Sequence, residues 1–307
     1  MQCEVIRWYR FHKWEHGYKL KQIYEYFGKS KQAVQKQEKR MFEQTQYHQE
    51  LIAQSYFIRQ HHPRMGVKIL YDRIQPAHIG RVRFEQLLMK KGFRLRRLKN
   101  YLRTTDSSGI VRYRNLIAGK TIHGINQIWV SDISYYIIEK NVYYIVILMD
   151  LYSRRILGYA ASETLRAEDT NMKSLRMALK QRVILMYENL IHHSDRGGQY
   201  RYQNYVDTLG NHHIQISMCK SVYDNPHMER VNGTIKNDYL YPFQAHDLTS
   251  LKVNLRKAVK YYNEEKPHSA LNGMTPVEFE NYIVSLSPDN CPKMKIKEEF
   301  SVDGKMN

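Results

Sequence analysis

From residue 121 onward the hydrophobic positions fall in short runs rich in β-branched and aromatic residues, the pattern of strands. Three such runs, 127–138, 142–150 and 155–160, follow one another with turn-like residues between them and predict an antiparallel meander. The rhythm then changes. Residues 167–180 read as a helix, 190–193 as a short strand, 202–209 as another helix and 213–218 as a further strand. Helices over 224–239 and 249–263 complete the order βββαβαβα, a mixed α/β arrangement.

Before residue 121 the apolar spacing is helical. Leu20, Ile23 and Phe27 lie at helical intervals, Gly28 breaks the run, and Ser30 can cap a second helix that carries Lys31, Gln32 and Lys36 outward. This reads as a helix-turn-helix, whose second helix would enter the major groove, although any basic helical hairpin looks similar. A second pair follows, with Val67, Leu70, Tyr71 and Ile74 on one face, a break near 76–80, then Phe84, Leu87 and Leu88. It ends at Gly92 and runs into Arg94, Arg96, Arg97, Lys99 and Arg103. The organisation expected is a helical module over 1–50, a second helical region with a basic tail over 51–104, and a linker over 105–120. An α/β core over 121–284 and a loose tail over 285–307 complete it.

Charge sharpens this division. The formal net charge is +18, and residues 1–120 hold 26 Lys and Arg against 9 Asp and Glu, while the remainder holds 22 against 21. A basic amino-terminal part beside a nearly neutral one points to a module that grips a polyanion, with double-stranded DNA the natural partner. Arg81, Arg83, Arg94, Arg96 and Arg97 are the expected DNA contacts of this second region, with Lys31, Gln32 and Lys36 suited to phosphates and base edges. No run of about 20 apolar residues spans a membrane, and no secretory h-region stands at the start, so the chain is expected in the cytoplasm. Three scattered cysteines make neither a disulfide framework nor a zinc knuckle.

Three acids occupy telling places in the βββαβαβα order. Asp132 lies inside the first strand, on the face of Val130 and Ser134, where an acid costs stability unless paired or bound to a cation. Asp195 follows the fourth strand, and Gly197 and Gly198 after it let backbone approach a ligand closely. Glu229 sits one turn into the helix opened by Asp224-Asn225-Pro226, with Lys236 seven residues on along the same face. Oxygen ligands from two strands and a helix suit Mg²⁺ or Mn²⁺, and a pair of such ions can clamp a phosphodiester without a protein nucleophile. Two other acids are read as structural, Asp150 as a turn former and Asp224 as an N-cap.

The segments Trp129-x-x-Asp132-Ile133-Ser134-Tyr135, Asp150-x-Tyr152-Ser153-Arg154-x-Ile156-x-Gly158 and His193-Ser194-Asp195-Arg196-Gly197-Gly198-Gln199-Tyr200 recur together in one known family. So do Tyr223-Asp224-Asn225-x-x-x-Glu229 with Lys236, Tyr262-Asn263 and Pro267-His268-x-x-Leu271-x-Gly273-x-Thr275-Pro276. In these the chain resembles the OrfB-type DDE transposases of the third insertion-sequence family, which carry a retroviral-integrase-like core. The resemblance implies a ribonuclease H-like mixed sheet preceded by small all-α DNA-binding modules. It implies Asp132, Asp195 and Glu229 as catalytic, metal-binding residues, and Lys236 and Arg196 as contacts to DNA. Glu229 follows Asp195 at two residues less than the family's usual spacing, and Lys266 stands where the family commonly has Arg, keeping charge but losing a bidentate fork.

The expectation is therefore a transposase that cleaves and joins DNA at terminal inverted repeats and target sites. It would act as a homo-multimer that pairs two ends, alone or joined to an upstream OrfA-type protein. Two rivals remain: a ribonuclease H-fold nuclease or resolvase that hydrolyses without joining, and a non-catalytic DNA-binding regulator resting on the basic part alone.

Overall fold

The computed structural model describes residues 2–96, 113–183, 188–219 and 226–297. Its contacts divide the chain into two compact units, 1–60 with 65–95, and 61–64 with 96–307. Arg97, Lys99, Arg103 and the first half of the expected linker, 105–112, fall outside the described residues, whereas its second half, 113–120, is no linker: Leu116 donates its N–H to Ser217 and Ile117 is buried in the core of the second unit.

The first unit is helical. It comprises α1 (Gln2–Phe11), α2 (Leu20–Tyr26), α3 (Lys31–His61), α4 (Val67–Ile74) and α5 (Arg81–Lys90). Gly28 takes the left-handed turn after α2 at φ +59°, and the Ser30 hydroxyl accepts the Ala33 N–H at 3.1 Å, capping α3. Ile6, Ile23 and Val34 form one small core, and Leu51, Val67, Leu70, Phe84, Leu88 and Phe93 another. The division expected at residue 50 falls within a helix: α3 passes through it unbroken. Residues 40–50 are polar but hold no Gly or Pro, and their Arg, Met, Glu and Gln side chains are good helix formers, so nothing ends the helix there.

The second unit is built on a five-stranded sheet of β2 (Ile128–Ile138), β3 (Asn141–Asp150), β4 (Ile156–Ser162), β5 (Ile191–Ser194) and β6 (Gln215–Met218), in spatial order β4-β3-β2-β5-β6. β1 (Thr121–Ile122) precedes it. The meander β2-β3-β4 is antiparallel as the three consecutive runs predict, while β5 and β6 run parallel to β2. This order and sense make the ribonuclease H-like fold. α6 (Asn171–Arg182) and α7 (Gln203–Asn211) provide the crossovers, and with Trp129, Leu148, Leu157 and Tyr205 they fill one side of the sheet. On the other side lie α8 (Pro226–Thr234) and α9 (Leu248–Glu264), packed over Val130, Ile145, Ile147 and Met149. α8 runs on through a π-type stretch, Ile235–Leu240, and the Leu240 carbonyl accepts the buried Tyr136 hydroxyl of β2 at 3.0 Å.

Several residues of the sequence motifs turn out to hold this frame. Asp150 is fully buried and accepts backbone N–H groups from Asn126 (2.6 Å), Tyr152 and Ser153 (3.0 Å each), closing the β3–β4 turn, where Arg154 takes a left-handed φ of +61°. Gly158 lies against α6 so closely that a Cβ there would meet the Ser174 carbonyl oxygen at 1.9 Å. Asn263 of α9 grips Ile156 by a bidentate pair of bonds, both 2.9 Å.

The end of the described chain differs from expectation. α10 (Pro276–Val284), capped by Thr275, was not foreseen as a helix, and residues 288–297 are ordered rather than loose. β7 (Met294–Lys295) pairs antiparallel with β1, and Cys291 and Ile296 are buried in the main core. Lys and Pro dominate the reading of this segment, yet the few apolar side chains between them decide its placement.

Candidate active site

Strand pairing puts the first two acids side by side. β2 and β5 are parallel with Val130 opposite His193, so two residues further along each strand Asp132 and Asp195 come abreast at the carboxyl-terminal ends, where such sheets place their sites. Asp132 shares its sheet face with Val130 and Tyr136 and so points to the side covered by α8. The Asn232 side-chain amide of α8 donates to Asp132 Oδ2 at 2.7 Å. Asp195 lies just beyond β5, its Oδ1 accepting the Gly197 N–H at 3.0 Å. A Cβ on Gly197 would stand 3.0 Å from that same oxygen, so a side chain there would press on the Asp195 carboxylate.

The electrostatics are those of crowded like charges. Burial, and then the neighbouring Asp195, push the Asp132 carboxyl up to about 7, against the opposing pull of the Ile133 N–H, Lys236 and Asn232. Burial also raises Asp195, tempered by the Gly197 N–H. Beneath them Tyr200 is buried, with its hydroxyl 2.9 Å from Ser131 Oγ. Lys236 is half-buried in the π-type stretch, its Nζ 3.5 Å from the Tyr135 carbonyl oxygen, lowered by burial and raised by Asp132.

Glu229 lies in the first turn of α8 and is exposed. It stands one turn before Asn232 on the same helical face, so the bond from Asn232 brings that face of α8 to Asp132. Among the described residues no three His, Cys, Asp or Glu side chains are drawn into one metal-holding group, and residues 220–225, which contain the shortened spacing and Asp224, lie outside them. Two acids abreast, with oxygen donors only and charges that repel, nevertheless form a donor set suited to a hard divalent cation. Asn232 Oδ1 is buried without a partner, a further polar atom at the same place.

The expected DNA-contacting residues divide differently. Lys31, Gln32 and Lys36 are exposed on the first turns of α3, and Arg83, Arg94 and Arg96 are exposed at α5 and after it. Arg81 is exposed and lies 3.4 Å from Glu85. Arg196 donates from Nε to the Cys219 carbonyl at 3.1 Å, tying the turn after Asp195 to the end of β6. Lys266 lies 3.2 Å from Asp238. Asn232 went unnoticed in the sequence, although its place three residues after Glu229 on a helix was the signal that could have found it.

The integrase core domain family matches residues 123–223 and again 212–276, together half of the chain. The chain is 29% identical over 206 residues to an uncharacterized 31 kDa protein of insertion element IS600 from Shigella sonnei, covering 66% of this chain and 75% of that protein. It is 28% identical over 158 residues to a putative transposase of IS150 and 30% identical over 161 residues to the transposase InsF of IS3A, both from Escherichia coli. The chain belongs to the integrase core domain family. The chain spans little more than half the length, 55%, of each Escherichia coli relative, and these matches cover 51% and 52% of its own. Among solved structures, the catalytic core of HTLV-2 integrase in complex with magnesium aligns with 54% of this chain and 99% of its own, at a TM-score of 0.40 and 21% identity. Among the described residues, no helix is long and apolar enough to cross a membrane.

Proposed function

We propose that this chain cleaves DNA strands at the ends of an insertion sequence and joins them to target DNA, with Asp132, Asp195 and Glu229 as its acids. The observation that carries the reading is the pair Asp132 and Asp195, abreast on parallel strands, half-buried and mutually repelling, with Lys236 as the cationic side chain beside them. When bound, one or two Mg²⁺ or Mn²⁺ ions supply polarisation of a phosphoryl oxygen and activation of the attacking and leaving oxygens. Asp132, Asp195 and Glu229 are the residues that would hold them.

The protein's own contribution is orientation. The Gly197 N–H fixes Asp195, and the Asn232 amide fixes Asp132 against α8. Lys236, held near Asp132 by the same helix, can meet an incoming phosphate oxygen as the carboxylates take up cation. The basic first unit presents Lys31, Gln32, Lys36, Arg83 and Arg94 to the duplex, and Arg96, the next described basic residue in sequence, is exposed as well, which supports recognition of terminal inverted repeats ahead of the chemistry. Pairing two ends calls for a multimer, and an upstream OrfA-type partner fits the family.

The test uses purified protein, Mg²⁺ and labelled duplexes carrying the element's ends. Asp132→Asn, Asp195→Asn and Glu229→Gln should bind these duplexes as the wild type does, yet neither nick them nor join a pre-cut 3′-hydroxyl end to target DNA. Strand transfer by any one of the three removes that residue from the set. Hydrolysis without joining by the wild type favours the nuclease reading instead.

A further inference from the structure

The first thirty residues hold more rings than their small core uses. Over 8–18 the chain reads Trp8-Tyr9-Arg10-Phe11-His12-Lys13-Trp14-Glu15-His16-Gly17-Tyr18, where rings outnumber all other side chains. α1 seats itself on Ile23 and Val34 through Ile6, with Tyr9 packed beside them. The other rings of the segment take no part in that core. Trp14 is 79% exposed and Trp8 48%, and Phe11 and Tyr18 are exposed as well. A patch of large apolar side chains left in water marks a place where something binds.

These rings form one connected array. Trp8 stacks on His12 at 4.5 Å with 13° between their planes, and Trp14 lies 6.2 Å from His12. From Trp8 the array continues to His16 at 6.4 Å and from there to Tyr18, stacked at 6.5 Å, while Tyr9 meets His16 edge-on at 4.6 Å. Two backbone contacts fix it. His12 Nδ1 donates to the Trp8 carbonyl at 2.9 Å, and His16 Nε2 donates to the Tyr9 carbonyl at 2.8 Å. The segment after α1 is thereby folded back on the end of that helix, and its rings stand in place before any ligand arrives, which lowers the entropy lost on binding.

The charge around the array is positive. Residues 1–30 hold 6 Lys and Arg against 3 Asp and Glu, and Arg7, Lys13 and Lys19 are exposed in or beside the ring-bearing segment. Arg7 lies over the Phe11 ring at 5.9 Å, and one of the three acids, Glu25, lies 3.9 Å from Lys21. A second copy of the chain would bring the same positive charge to the contact. A polyanion whose every unit carries a flat ring complements both the charge and the rings. Duplex DNA shows the edges of its bases in its grooves and keeps their faces stacked on one another. In a single strand those faces are open.

We infer that Trp8, Trp14 and Tyr18, with Arg7, Lys13 and Lys19 beside them, form a stacking surface for the unpaired bases of single-stranded DNA. It uses none of Lys31, Gln32 and Lys36, the residues expected to meet the duplex. Cutting and joining strands at an element's end leaves unpaired nucleotides there, and a surface that holds bases by their faces accepts such a strand whatever its sequence. The assignment to a strand being processed rests on the function proposed above; the stacking surface itself does not.

Binding titrations on the full chain in EDTA test this. The probes are a mixed-sequence DNA single strand of about 12 nucleotides, within the usual span of such sites, an abasic strand of the same length, and a blunt duplex of the same sequence. The chain has three tryptophans and Trp129 is wholly buried, so a change in indole emission on adding DNA reports Trp8 and Trp14. The single strand should quench that emission, whereas the abasic strand and the duplex should not. Trp14→Ala should bind the single strand roughly 5- to 150-fold more weakly, the loss of one stacked base. Trp14→Tyr should recover most of that loss, and both variants should bind the duplex as the wild type does. Trp14 lies outside the small core of the first unit, so its replacement leaves that core intact. Strand binding unchanged in both Trp8→Ala and Trp14→Ala overturns the surface, as does equal quenching by the abasic strand or by the duplex. Absence of quenching, with a dimer in sedimentation that Trp14→Ala converts to monomer, overturns it in favour of a second copy. A wild type that joins ends yet shows no quenching by the single strand overturns the surface and leaves the proposed function standing. Quenching lost in Trp14→Ala, in a protein that joins no ends, supports the surface and removes the proposed function.

Discussion

Replacing Asp132 with asparagine tests the electrostatics of the acid pair directly. In the folded metal-free protein the carboxyl titrates at about 7, against an ordinary value of 3.8. A carboxyl whose folded pKa is raised binds its proton more tightly in the folded state. The stability this adds is therefore full below pH 3.8 and is lost as pH rises through about 7. Three units at about 1.36 kcal/mol each bound the loss near 4 kcal/mol, and partial exposure reduces it to about 2–4 kcal/mol. Asparagine keeps the shape and can still accept the Asn232 amide, but it carries no charge. Asp132→Asn should thus match the wild type near pH 4 and exceed it by about 2–4 kcal/mol at pH 8. For a domain of this size that is roughly 4–16 °C in melting temperature. Calorimetric melts in EDTA across pH 4–8 make the comparison, and Mg²⁺ at pH 8 should then stabilise the wild type but not the variant. A difference that does not vary with pH, or a variant less stable than wild type at pH 8, refutes the argument.

Other outcomes follow from the frame around the site. Glu280 is buried and accepts from Ser153, Arg155 and Arg182, so Glu280→Ala takes from Arg182 its close carboxylate, leaving Asp150 at 3.7 Å, and should cost about 3–5 kcal/mol in urea unfolding; a loss below about 1 kcal/mol would contradict this. Gly158→Ala drives a methyl into the Ser174 backbone, and α6 must shift, at about 1–3 kcal/mol by the same assay, whereas a neutral result means the helix is not seated as described. His192 is buried, its Nε2 2.9 Å from the Tyr205 hydroxyl, and burial lowers it to about 3. A depressed histidine contributes stability that is whole above pH 6.5 and is lost as pH falls toward 3, so His192→Gln should flatten acid unfolding across that window.

The α/β core was legible because its strands are short, dense in Ile, Val and Tyr, and separated by clear breakers. Parallel pairing of β5 and β6 with β2 cannot be read from periodicity and came from the family resemblance. Asp132 and Asp195 stood out because charge in an apolar strand and glycine after a strand are local signals. The roles of Asp150, Gly158, Asn232 and Glu280 were not readable in the same way, because each depends on a partner far along the chain: Arg182, Ser174, Asp132 and Arg155 respectively. The ordered segment 288–297 was missed for a related reason. Two buried side chains, Cys291 and Ile296, hold it, and two residues set no period.

That segment has a consequence for how the molecule can be rearranged. Because β7 returns to lie beside β1, the catalytic core is entered and left at one two-stranded ribbon, with Thr121 opposite Lys295. The core's two ends are thus neighbours in space. A module spliced in ahead of β1 or behind β7 joins at the same edge and leaves the strand ends bearing Asp132 and Asp195 untouched. Such a layout lets further modules be joined by simple gene fusion without disturbing the sheet, and with Ile117 buried and the Leu116 N–H donating to Ser217 the self-closing core runs over 113–297 rather than 121–284.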